Sequence, residues 1–187
     1  IPNMVVVAPS DENDTHKLLS TGYAHQGPAA VRYPRGKGPG VSVDKNLETL
    51  EIGKAAIRRE GHSVAILAFG SMVSVALESG NSINASVIDM RFVKPIDEDL
   101  IGDMAATHQL IVTIEENSIM GGAGSAINEY LLRSNYQIPI LNLGLPDKFL
   151  EHGKVPEILT DIALDSTSVT EAINQKLMDC KIQSEAV

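Results

Sequence analysis

Short apolar runs alternate along this chain with longer stretches in which apolar residues return every three or four positions. The short runs indicate buried strands, and the longer period is typical of helices with one buried face. Strands are predicted at residues 5–8, 29–33, 64–69, 85–90, 110–114 and 138–143. Helices are predicted to follow from residues 10, 71, 95, 121, 155 and 169. This alternation predicts an α/β fold of three layers, a mostly parallel sheet with helices on both faces.

Polar residues stand where three of these helices are predicted to begin. Ser10 and Asp97 are predicted to be caps, because short polar side chains accept hydrogen bonds from the free N–H groups of a first turn. Ser168 and Glu171 have the spacing of a capping box at the start of the last helix.

The distribution of charge divides the chain into two units. Residues 1–40 carry four Lys or Arg against three Asp or Glu, whereas the whole chain has a net charge of −9. Three glycines and a proline fall within residues 36–40, which indicates a loop or linker at the change. The first unit is then a β-α-β piece, too small to be stable alone. Because the chain opens with Ile1 directly before an apolar strand, we expect a piece of a longer protein.

Composition excludes several classes of function. The chain has 187 residues, 43% of them hydrophobic, and its acidic balance argues against binding to nucleic acid or to an anionic membrane. No apolar run approaches the roughly 18 residues that a membrane span needs. Cys180 is the one cysteine, so no internal disulfide or cysteine-based zinc cluster is expected, and its place in the last helix predicts a buried residue.

The segment from Arg32 to Gly36 is the most informative short motif. It ends a predicted strand and enters a glycine-rich loop, and ligands of α/β sheets gather beyond the carboxyl ends of strands. Arginine offers a planar fork of donors that suits phosphate or carboxylate. The residues alone nevertheless favour a surface loop with solvated arginines over a ligand site.

A second polar segment follows the strand at 110–114. Glu115 and Glu116 could bind a metal or act as acid and base, and the Gly121–Gly124 turn could bind an anion at a helix N-terminus. The favoured interpretation is a turn that needs small residues, with Glu116 in a polar contact to a neighbouring unit, because nothing nearby completes a site.

The remaining charged residues suggest structure more than chemistry. Asp89, Arg91 and Lys94 follow the strand at 85–90 and are interpreted as structural ion pairs. No two of the five histidines have metal-ligand spacing, so no zinc site is expected. From the residues alone, the chain lacks a self-contained catalytic constellation.

Five segments occur together in the order found in one family. They are Pro9–Asn13, Ala30–Gly36, Asp89–Pro95, Glu115–Asn117 with Met120–Ser125, and Leu143–Asp147. From Ile1 to about Leu164 the chain resembles the carboxyl-terminal third of the 1-deoxy-D-xylulose-5-phosphate synthases, which are transketolase-like thiamine diphosphate enzymes. The resemblance implies that residues 1–38 are the end of the pyrimidine-binding domain, 39–48 a linker, and 49–187 a transketolase C-terminal-domain-like unit.

The resemblance also implies an activity. Enzymes of this family condense pyruvate with D-glyceraldehyde 3-phosphate to 1-deoxy-D-xylulose 5-phosphate and CO2, a step of isoprenoid, thiamine and pyridoxal biosynthesis. They use thiamine diphosphate and Mg²⁺, whose binding residues would lie upstream of Ile1, since the Gly-Asp-Gly metal motif is absent from this sequence. Arg35 matches the family arginine that binds the phosphate of the triose substrate, whereas Arg32 is expected to be structural. No catalytic, cofactor-binding or metal-binding residue is carried over, so this chain alone is expected to be inactive.

The implied partners are the upstream domains of the same polypeptide and a second copy in a homodimer, in the bacterial cytoplasm or in a plastid. Two alternatives stay open. The larger unit could act only as a non-catalytic assembly and dimerisation domain. It could instead be a β-subunit-type 2-oxo-acid dehydrogenase domain, although the Arg32–Gly36 loop argues against a substrate without a triose phosphate.

Overall fold

The chain forms two sheets and six helices within the residues that a computed structural model describes, which are the backbone of residues 1–185 and the side chains of residues 1–181. The strands are β1 (Val5–Val7), β2 (Ala29–Val31), β3 (Ala56–Arg59), β4 (Val64–Ala68), β5 (Ser86–Asp89), β6 (Phe92–Lys94), β7 (Leu110–Ser118) and β8 (Ile140–Leu145). The helices are α1 (Glu12–Ala24), α2 (Met72–Ile83), α3 (Glu98–Thr107), α4 (Ala123–Arg133), α5 (Val155–Asp161) and α6 (Ser166–Glu185). The last two residues of the predicted second unit lie outside the described residues.

The larger sheet has the strand order β3-β5-β4-β7-β8, and only β3 runs antiparallel to its neighbour. Its central strand β4 is buried along its whole length. One face packs against α2 and α6, where Met72 and Ile173 lie in a shared apolar cluster. The other face packs against α3 and α4 through Ile101 and Ile127. The predicted three-layer α/β fold is therefore confirmed.

The smaller sheet has the order β2-β1-β6, in which β1 pairs parallel with β2 and antiparallel with β6. Strand β6 comes from beyond the predicted linker. Its Phe92 is fully buried and packs with Val5, Val7 and Leu18. The piece at 1–38 thus obtains its third strand and much of its core from the larger unit.

The predicted linker at 39–48 has no regular structure, but α1 anchors it. The Glu12 carboxylate accepts hydrogen bonds from the N–H groups of Gly40 (2.9 Å) and Val41 (3.3 Å). Backbone N–H groups, its own first and then that of Gly40, lower the pKa of Glu12 below its usual value. Lys17 of the same helix pairs with Asp44 at 2.8 Å.

Helix starts were predicted with mixed success. Asp97 does cap α3, accepting from the Leu100 N–H at 3.2 Å. The prediction for Ser10 is wrong: Asp11 caps α1, because the Ser10 hydroxyl instead donates to Asp89 at 2.8 Å. The capping box at Ser168 and Glu171 is also wrong.

Helix α6 begins earlier than predicted, at Ser166, and Asp165 accepts the N–H groups of Thr167 and Ser168 at 3.0 and 3.1 Å. Cys180, predicted to be buried, is half-buried. Strands β3 and β6 were not predicted.

Candidate functional site

The carboxyl ends of the two sheets meet. The loops after β1 and β2 lie against the loop after β4 and the end of β7, around a hollow of about 80 Å³ lined by Arg32, Phe69, Ser71 and Glu116 among others. Because ligands of parallel sheets bind beyond the carboxyl ends of strands, this junction is the candidate site.

Arg35 lies in the exposed loop that follows β2. It makes no hydrogen bond or ion pair with any other residue in the described part of the chain, and its side chain is exposed. Its neighbours Pro34 and Gly36 line a cavity of about 480 Å³, together with the start of α1 and with Ser71 and Ser74. The Arg35 side chain itself is not part of that lining. Arg35 is therefore an exposed cation next to a cavity, with no partner among the described residues.

Arg32 has a different environment, although only two residues separate it from Arg35. Its backbone N–H donates to the Val7 carbonyl at 2.9 Å and continues the pairing of β1 with β2. Its Nη2 donates to the backbone carbonyl of Glu116 at 2.7 Å. Arg32 thus makes a structural contact, as the sequence suggested, and this contact joins the two units.

Glu115 occupies the helix N-terminus that the Gly121–Gly124 turn was considered to offer to an anion. Its buried carboxylate accepts the N–H groups of Ala123 at 2.7 Å and Gly124 at 2.8 Å. A Cβ on Gly122 would meet this carboxylate, and one on Gly124 would meet Thr113. The turn needs small residues because the chain's own carboxylate fills it.

Glu116 points the other way and accepts a hydrogen bond from the Ser71 hydroxyl. The expected polar contact to a neighbouring unit does exist, but the backbone carbonyl of Glu116 makes it, with Arg32. Sequence reasoning missed Ser71. The one available signal was its place before a predicted helix, where a serine normally caps.

A buried cluster of charges lies at the same junction, between α1 and β5. The fully buried Asp89 accepts two bonds from Arg58, the shorter at 2.8 Å, and Arg91 pairs with Asp14 at 3.0 Å. Burial first, and then the nearby Asp89, raise the pKa of Asp14 to about 6 against the opposing effect of Arg91. Asp89 and Arg91 therefore form structural ion pairs as predicted.

Lys94 does not belong to this cluster, because it donates to the Ile1 carbonyl instead of pairing with a carboxylate.

The described residues hold no cluster of metal ligands. None of their His, Cys, Asp and Glu side chains form a group of three or more that could hold a metal ion. No helix within that part of the chain is long and apolar enough to cross a membrane.

The larger unit corresponds to a known family. Residues 53–169 match the family model described as the transketolase C-terminal domain. The chain belongs to this family of domains.

The relatives make the match more specific. The chain is 54% identical over 177 residues to a 1-deoxy-D-xylulose-5-phosphate synthase of Pseudomonas syringae pv. syringae, which covers 95% of this chain and 28% of that protein. The chain therefore spans little more than a quarter of the length of that relative. A synthase of Hahella chejuensis is 50% identical over 184 residues and gives a similar coverage, 98% and 29%.

Among solved structures, one titled "Split gene transketolase, inactive beta4 tetramer" superposes with a TM-score of 0.84 at 32% identity, covering 95% of this chain and 58% of that one.

Proposed function

We propose that this chain is the carboxyl-terminal part of a 1-deoxy-D-xylulose-5-phosphate synthase, a thiamine-diphosphate-dependent transferase. The observation that carries the proposal is the 54% identity to such a synthase across nearly the whole chain. In this proposal residues 1–38 end the pyrimidine-binding domain, 39–48 connect, and 49–187 form the terminal domain. The bacterial source of the relatives supports a bacterial cytoplasmic enzyme.

Arg35 is proposed to bind the phosphate of D-glyceraldehyde 3-phosphate. The support for this role is that Arg35 is exposed, lies after a strand and has no partner among the described residues, so its charge is available to a ligand. A charged hydrogen bond to a phosphate oxygen contributes roughly 1.5–3 kcal/mol. Pyruvate has no phosphate, so the proposed contact belongs to the triose phosphate alone.

The cofactor does not fit this chain by itself. The sequence has no Gly-Asp-Gly motif, and its described residues offer no cluster of ligands for Mg²⁺. The proposal therefore assigns thiamine diphosphate and Mg²⁺ to upstream domains of the same polypeptide, and no chemical step to residues of this chain.

The test uses the complete enzyme that contains this chain, supplied with pyruvate, D-glyceraldehyde 3-phosphate, thiamine diphosphate and Mg²⁺. Formation of 1-deoxy-D-xylulose 5-phosphate is followed by mass spectrometry. The Arg35→Ala variant is expected to raise KM for the triose phosphate about tenfold or more and to leave KM for pyruvate within about twofold.

The matched control is Arg133→Ala, which removes an exposed arginine paired with Glu98 between α4 and α3. Equal changes in both KM values for Arg35→Ala would refute its role, and absence of the product with the unaltered enzyme would refute the proposed function.

Assembly is a second candidate role, which a separate observation favours. Large apolar side chains are exposed at several places, among them Phe149, with full exposure, and Tyr23 at 92%. Where such side chains lie together in an apolar patch, the patch is typical of a surface that another domain or subunit covers. Sedimentation of the complete enzyme should show a dimer or larger assembly, and a strict monomer at high concentration would contradict this role.

A further inference from the structure

The hydroxyl of Ser71 has an unusual partner. Ser71 stands immediately before α2, where a serine normally accepts a bond from an N–H of the first helical turn, yet its side chain makes no capping bond. It donates instead to the carboxylate of Glu116 at the end of β7. Ser71 therefore holds the side chain of Glu116 in place instead of capping α2.

Glu116 is held at its side chain and in turn holds another residue through its backbone. Its carbonyl accepts the hydrogen bond from Arg32 at 2.7 Å, across 84 positions of sequence. Because the donor carries a full charge, this bond is stronger than one between neutral groups. Ser71, Glu116 and Arg32 therefore form a continuous chain of contacts from the larger unit to the loop after β2.

The loop has little freedom between Arg32 and Arg35. The backbone of Arg32 is already paired with β1, and its side chain is tied to Glu116. Only Tyr33 and Pro34 intervene, and the proline ring fixes one of the backbone torsions. The position of Arg35 therefore follows closely from the position of Arg32.

We propose that Arg32, Glu116 and Ser71 are positioning residues that hold Arg35 where the phosphate of the triose substrate binds. The inference rests on the proposed function for the phosphate contact itself. The new element is that the terminal domain affects the affinity for the triose phosphate without contacting that substrate. The effect passes through the Ser71–Glu116 contact and Arg32 to Arg35.

The kinetic test uses the complete enzyme with single and double variants. Arg32→Ala is expected to raise KM for D-glyceraldehyde 3-phosphate about tenfold, and Ser71→Ala about threefold, with kcat and KM for pyruvate within about twofold. Arg32→Lys, which keeps a charged donor, should recover most of the loss. Because Ser71 acts through Arg32, the double variant Arg32→Ala with Ser71→Ala should have the same KM for D-glyceraldehyde 3-phosphate as Arg32→Ala alone.

The matched controls are Ser82→Ala, on the exposed side of the same helix α2, and Arg133→Ala. Multiplicative effects in the double variant, or equal changes for both substrates, would overturn the positioning role.

A second measurement does not depend on activity. Trypsin cleaves after Arg35, and the rate can be read from the masses of the products under native conditions. Loss of the tether in Arg32→Ala or Ser71→Ala should speed this cleavage several-fold, on the order of fivefold, because the loop opens more often. An unchanged rate in both variants would overturn the inference. If the enzyme makes no 1-deoxy-D-xylulose 5-phosphate, the proposed function fails, while this measurement still decides whether the tether holds the loop.

Discussion

The carboxyl edges of the two sheets look alike in sequence and differ in structure. Each consists of a strand, two charged residues and then glycines, Arg32 and Arg35 before Gly36 in one sheet, Glu115 and Glu116 before Gly121 in the other. At the larger sheet both carboxylates have partners within the chain. At the smaller sheet Arg35 has none among the described residues. The two edges therefore differ in whether the described residues supply a partner for every charged side chain. We call the edge of the larger sheet closed and that of the smaller sheet open.

The largest expected loss of stability comes from removing the Glu115 carboxylate at the edge of the larger sheet. Glu115→Ala removes the acceptor for two N–H groups at the buried start of α4, so we expect the free energy of unfolding to fall by about 3 kcal/mol. Urea denaturation followed by circular dichroism measures this loss, with the exposed neighbour Asn117→Ala as the control. A loss as small as that of the control would mean that the edge is not closed by Glu115.

The charge cluster that joins the two edges should make stability depend on pH. Burial and then the nearby Asp89 raise the pKa of Asp14 from its usual 3.8 to about 6, so the folded protein takes up this proton at a higher pH than the unfolded chain does. The free energy of unfolding should therefore rise as pH falls from 7.5 to 5, by about 1.4 kcal/mol from this group.

Urea denaturation at both pH values should show a smaller rise in Asp14→Asn. An identical pH dependence in the variant and the original protein would show that Asp14 does not titrate in this range.

The contact between the edges is expected to contribute less. Arg32→Ala loses one exposed, charge-assisted bond to the Glu116 carbonyl, which should lower the free energy of unfolding by about 1 kcal/mol. Chemical denaturation of Arg32→Ala beside Arg32→Lys tests this, since the lysine retains a donor. Equal losses in the two variants would point to packing in place of the hydrogen bond.

The smallest effect belongs to the open edge. Arg35→Ala removes no contact within the described residues, so the free energy of unfolding should change by less than about 0.5 kcal/mol. The same denaturation experiment checks this. A loss comparable to that of Arg32→Ala would place Arg35 among the structural arginines and abolish the contrast.

The sequence predicted those parts of the fold that are encoded locally. Strand β4 is a continuous apolar run, and its burial on both faces can be read directly. Strands β3 and β6 were missed because they are short and carry charged residues such as Arg58, Arg59 and Lys94. Their pairing depends on neighbours in space. The error at Ser10 is similar, since Ser10 and Asp11 are both good caps and the distant Asp89 decides between them.

The candidate site was predictable only in part. The Arg32–Gly36 motif identified the edge at which the two sheets meet, but the residues alone could not tell a tethered arginine from a free one. Arg32 and Glu116 are 84 positions apart, and Glu116 contributes its backbone carbonyl, which leaves no trace in residue type. The role of Glu115 had a weak local signal, an acidic residue shortly before a glycine-rich helix start.

The pairing of β1 with β6 has a consequence for the order in which this protein can be made. As the ribosome synthesises the chain, β1 and β2 emerge early, but the partner of the second edge of β1 is encoded only at residues 92–94. Until then that edge can pair with other chains. A gene divided between β2 and β3 would leave one product in which this edge of β1 has no partner strand. The boundary between the two units is therefore a poor place to exchange or separate domains.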